Sequence, residues 1–115
     1  LMRFKNEWGD PPVYITENGM ANDDRRVDGR VEDPERIAYL AGYLAQVRRA
    51  MDRGVKVQGY FLWSFLDNFE WAEGYTKRFG IVHVDFSTQE RTPKHSAFWY
   101  RDLIREGGYR HEETP

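Results

Sequence analysis

The chain has 115 residues, one domain or part of one at roughly 100–200 residues per domain. Its 17 Lys and Arg against 19 Asp and Glu leave a net charge of -2, without the basic surplus of a nucleic-acid module. No apolar run approaches the ~20 residues a bilayer demands, no signal-peptide pattern opens the chain, and the lack of cysteine excludes a disulfide scaffold, thiol catalysis and a Cys-based zinc site.

Leu1 to Glu7 has helix character without an N-cap, as the tail of a longer helix would, so the chain is expected to be a fragment. Gly9 and Asp10-Pro11-Pro12 close that helix. Val13-Tyr14-Ile15-Thr16 is a short buried strand, with Gly19 just beyond it. Residues 20 to 33 form a long charged loop, with Asp23-Asp24-Arg25-Arg26 expected to be solvated. Asp33-Pro34-Glu35 opens a helix, with Asp33 as its cap. Ile37, Leu40, Ala41, Leu44, Val47 and Met51 make its apolar stripe, and Gly54 ends it.

Val55 to Trp63 is a second strand, continuously apolar at its end as strands covered on both faces are. Phe79 to Phe86 reads as a further strand, followed by a turn through Ser87-Thr88-Gln89-Glu90. Thr92-Pro93 caps a last helix through Arg105, ended by Gly107-Gly108, and a frayed tail runs from Tyr109 to Pro115. Strands alternating with helices point to βαβ units and a parallel sheet. Two such units cannot close a barrel, so the sequence describes a piece of an α/β fold.

Two segments carry chemistry. Ile15-Thr16-Glu17-Asn18-Gly19 places a carboxylate just past the carboxyl end of a buried strand, where parallel α/β folds gather catalytic groups. Those five residues alone fit a solvated Glu in a turn equally well. From Gln58 to Phe79, 8 of 22 positions are aromatic, interleaved with Asp67, Asn68, Glu70 and Glu73. Flat rings beside hydrogen-bonding side chains suit a sugar, which offers an apolar face and a dense array of hydroxyls. Phe61, Leu62, Phe65 and Phe69 read as core; Trp63, Glu70 and Trp71 are less well explained that way. His83, His95 and His111 share no metal-ligand spacing, so no metal site is expected, and His83 reads as a surface residue on an edge strand. Trp8 and Trp99 read as packing residues.

Val13 to Gly19, Gly59 to Tyr75, and Lys77-Arg78-Phe79-Gly80 through Arg91-Thr92-Pro93-Lys94 together resemble glycoside hydrolase family 1. That family holds β-glucosidases, β-galactosidases and 6-phospho-β-glycosidases, and the resemblance runs from Val13 to about Ile104. It implies the C-terminal quarter of a TIM (β/α)8 barrel: the end of helix 6, strand 7, helix 7, strand 8 and helix 8. Residues 1–115 would then be the C-terminal segment of a single glycosidase domain.

By the same resemblance Glu17 matches the nucleophile of a retaining mechanism. Glu70 and Trp71 match the pair that bonds sugar hydroxyls in the −1 subsite, Trp63 an indole at its floor, and Phe79 a pocket wall. The segment Trp71-Ala72-Glu73-Gly74-Tyr75 resembles the glucosidase pattern rather than the 6-phospho one. The family's acid/base Glu lies in a Thr-x-Asn-Glu-Pro motif that is absent here, since Asn6-Glu7 is followed by Trp8. The implied partners are therefore a β-glycoside and an N-terminal barrel polypeptide carrying that acid. No cofactor, nucleic acid or membrane is expected, and the expected location is cytoplasmic. The alternative is a carbohydrate-binding or structural fragment without turnover.

Overall fold

A computed structural model describes residues 1–108; the tail from Tyr109 to Pro115, with His111, lies outside the described residues. Helix α1 (Met2–Trp8) ends at Gly9, whose φ of 78° closes the last turn. Strand β1 (Val13–Asn18) leads through the long loop into helix α2 (Pro34–Asp52), which returns the chain to strand β2 (Val57–Leu62). β1 and β2 pair in parallel, so the three elements form one βαβ unit, the α/β organisation read from the sequence. A 3-10 turn at Trp71–Glu73 interrupts the aromatic segment. A hairpin of β3 (Val82–Val84) and β4 (Arg91–Pro93) precedes helix α3 (His95–Arg105), which packs on α2.

Several expectations need correction. The strand expected over Phe79 to Phe86 shrinks to three residues, and Thr92-Pro93 belongs to β4 rather than to a cap. The residue at the cap of α3 is Lys94, and the carboxylate at that helix start is Asp33. Asp33 Oδ1 accepts from the Ser96 amide at 2.8 Å and Oδ2 from the Ser96 hydroxyl at 2.5 Å. Asp33 therefore makes no side-chain cap on α2; its negative charge serves the amino end of the other helix.

Nor is the charged loop wholly solvated, because Asp24 is buried. It accepts from Arg36 and from Lys94. Lys94 also reaches Asp67 at 2.9 Å, and Arg78 reaches the other oxygen of Asp67 at 2.6 Å. Arg36 completes the set by donating to Asp33 at 3.1 Å and to the carbonyls of Met20 at 2.7 Å and Arg78 at 3.1 Å. Three carboxylates and three cations thus balance one another in the interior, joining the loop, α2, the aromatic segment, the hairpin and α3. Charges leave water at low cost only in such mutual satisfaction.

The apolar core is small: Val31, Leu40, Ala50, Val55, Ile81, Val82 and Val84 among the described residues. His83 belongs with them, buried rather than on the surface. Phe61, Phe65 and Phe69, expected in the core, are exposed in this chain, as are Met51 and Trp8; Leu62 and Trp99 are half-buried. Tyr14 and Phe61 lie on the sheet face turned away from α2, where no layer covers them among the described residues. No helix among the described residues is long and apolar enough to cross a membrane.

Candidate active site

Glu17 is the penultimate residue of β1, inside the strand rather than past it, and its side chain is exposed. The register explains its direction. Ile15 pairs with Tyr60 and Asn18 with Leu62, so three steps on β1 face two on β2. That irregularity acts as a β-bulge, a device that re-aims side chains at strand ends. Thr16 and Glu17 are both exposed, while Asn18 turns back toward α2. Its amide nitrogen donates to the Tyr39 hydroxyl on α2 at 3.2 Å, and its amide oxygen accepts from the Tyr60 hydroxyl on β2 at 2.7 Å. Burial pushes the Tyr60 and Tyr39 hydroxyls above the usual tyrosine range, which keeps both protonated.

The carboxyl ends of the two strands are locked together. The Trp63 amide donates to the Asn18 carbonyl at 2.9 Å. Gly19 follows at such close range that a Cβ there would lie 1.7 Å from the Trp63 carbonyl oxygen, so only glycine fits. The Trp63–Ser64 peptide is cis. The Trp63 indole N–H donates to a Glu70 carboxylate oxygen at 3.1 Å, bringing together two of the residues singled out in the sequence.

Trp71 follows Glu70 in a tight loop closed by the Glu70 amide on the Gly74 carbonyl at 2.8 Å. Its indole is 87 % exposed and its φ is 39°, a left-handed conformation that costs a bulky residue about 1–3 kcal/mol. Phe79 is half-buried, and its carbonyl accepts from the Ser64 amide at 3.0 Å, fixing it beside the Trp63 turn. Glu17, Trp63, Glu70 and Phe79 are therefore linked through one hydrogen-bonded framework at the carboxyl end of the sheet, with Trp71 at its open edge. Asn18, Tyr39 and Tyr60 are parts of that framework that sequence reasoning passed over. Asn18 stood inside the motif, but its two tyrosine partners are 21 and 42 residues away in the chain.

A parallel βαβ unit with a carboxylate and an indole at the carboxyl ends of its strands defines an α/β chain. The family model of glycosyl hydrolase family 1 matches residues 1–109, and the chain belongs to that family. Beta-glucosidase A of Thermotoga maritima is 54% identical over 109 residues, 94% of this chain and 24% of the relative. Beta-glucosidase A of Acetivibrio thermocellus is 50% identical over 110 residues, 95% of this chain and 25% of the relative. A solved family 1 β-glucosidase structure from Thermotoga maritima superposes with a TM-score of 0.92 at 52% identity, covering 96% of this chain and 25% of that one. The chain thus spans about a quarter of the length of the relatives it matches.

Proposed function

We propose that this chain is the C-terminal quarter of a retaining β-glycosidase barrel acting on neutral glucosides or related β-glycosides in the cytoplasm. Its segments are the end of helix 6, strand 7, helix 7, strand 8 and helix 8. The observation that carries the reading is the bulge that turns Glu17 out at the carboxyl end of β1, beside a strand end that holds the Trp63–Glu70 pair. Membership of the family and the β-glucosidases among its relatives support it.

In this reading Glu17, as carboxylate, attacks the anomeric carbon and expels the aglycone oxygen, which is protonated by a second carboxylic acid. Water then cleaves the glycosyl ester, with that second group now acting as base. The two carboxyls of a retaining site stand about 5–5.5 Å apart, and the acid comes from the N-terminal part of the barrel. Glu70 and the Trp71 indole bind hydroxyls of the sugar, Trp63 lies under its ring and orients Glu70, and Phe79 walls the pocket.

The test is a complete barrel in which this chain replaces the matching quarter of Thermotoga maritima Beta-glucosidase A. The graft is expected to hydrolyse an aryl β-glucoside, and Glu17→Gln is expected to lower turnover by at least ~10³-fold while sugar binding persists. Undiminished hydrolysis by Glu17→Gln contradicts the assignment.

A further inference from the structure

We propose that Asn18, clamped between Tyr39 and Tyr60, is the positioning residue that sets the attack geometry of Glu17. The inference rests on the nucleophile reading above and adds how that carboxylate is aimed. A bulged strand end has more freedom than a regular ladder, because one residue is left outside the pairing. Glu17 sits in this bulge, and its own side chain makes no hydrogen bond among the described residues. Within this chain, what fixes its backbone is therefore its neighbours.

Asn18 is the neighbour that is fixed. Its amide donates to Tyr39 at 3.2 Å and accepts from Tyr60 at 2.7 Å, and its backbone carbonyl accepts from Trp63 at 2.9 Å. The two side-chain bonds reach α2 and β2 and the backbone bond reaches the turn after β2, so Asn18 is held from three sides. An amide is suited to the place. It meets a hydroxyl donor with its oxygen and a hydroxyl acceptor with its nitrogen, and brings no charge next to Glu17. Leucine of similar size would take the acceptor from the Tyr60 hydroxyl and the donor from Tyr39, and aspartate would lose the donor and add a like charge beside the nucleophile.

Displacements near 1 Å at a reacting group can cost ~10²-fold in rate. In the grafted barrel, Asn18→Ala, Tyr39→Phe and Tyr60→Phe are expected to lower kcat/KM for an aryl β-glucoside by about 10–100-fold. The Tyr→Phe variants keep the ring and its packing, which guards against a trivial loss of folding. The deciding readout uses a background without the carboxylate. In Glu17→Ala, azide at high concentration can occupy the vacated space, attack the anomeric carbon and expel the aryloxide to give the α-glycosyl azide.

If Asn18 acts by aiming Glu17, the azide reaction stays within about twofold on adding Asn18→Ala or Tyr60→Phe, because there is no side chain left to aim. Equal losses in the azide and the hydrolytic reactions overturn the proposal, since Asn18 then supports the pocket in general. Unchanged hydrolysis in Asn18→Ala also overturns it. Full hydrolysis by Glu17→Ala without azide is a different result, and removes the nucleophile assignment itself.

Discussion

The imidazole of His83 sits in β3 with 7 % of its surface exposed and its Nδ1 without a hydrogen-bond partner among the described residues. Burial, reinforced by the Arg78 cation, holds its pKa below the usual 6.5. The unfolded chain takes up a proton near 6.5, whereas the folded chain does so only at lower pH. The stability that neutral His83 contributes is therefore complete above 6.5 and lost as pH falls from there through the folded value. Thermal unfolding of the grafted barrel between about pH 7.5 and about pH 5 is expected to show a steeper loss of Tm than His83→Phe does. Parallel curves contradict this. The sequence reads His83 as a surface residue on an edge strand, and the buried charges that act on it, Asp24, Asp67 and Lys94, come from positions the local pattern does not join. Gly19 was legible as a backbone special after a strand, whereas the five residues around Glu17 fit a solvated turn equally well and only the family resemblance singled Glu17 out. The bulge was not, since no glycine or proline marks it.

At the scale of elements, the cluster of Asp24, Asp33, Asp67, Arg36, Arg78 and Lys94 is what holds loop, helix and hairpin together. Removing one partner leaves a buried charge unmatched, at a cost of about 3–5 kcal/mol. Lys94→Met, which takes from Asp24 and Asp67 the cation they share and leaves only Arg36 and Arg78 to balance the three carboxylates, is expected to destabilise the grafted barrel by that amount in denaturant titration. Arg26→Ala breaks the two-pronged pair with Glu90, at 2.9 and 2.7 Å, yet is expected to cost less than about 1 kcal/mol because that pair lies in solvent. Equal effects of the two substitutions contradict the ranking. The helix α2 and the βαβ order were readable from apolar spacing and caps. The cluster was not, because six charges scattered from 24 to 94 look like solvated loop residues until the fold brings them together. The same distance hid the cap of α3: Asp33 reads as belonging to α2, but its carboxylate serves Ser96, 63 residues on.

The described residues form an open slab of 49 × 38 × 21 Å with a radius of gyration of 16.1 Å, against ~13 Å for a compact domain of about 100 residues. Phe61, Phe65 and Phe69 read as core residues in the sequence, and their pattern is that of a covered face. Among the described residues no layer covers that face, and the β1–β2 sheet has both outer edges unpaired. By itself the 115-residue chain is expected to bind a hydrophobic dye and to self-associate in sedimentation. A compact monomer with no dye binding contradicts that. The central claim, that this quarter brings the nucleophile, is met most directly by covalent labelling. The grafted barrel is treated with an activated 2-deoxy-2-fluoro-β-glucoside, which forms the glycosyl ester but hydrolyses slowly, and is digested for peptide mass spectrometry. The label is expected on Glu17, while a label on any other residue contradicts the account.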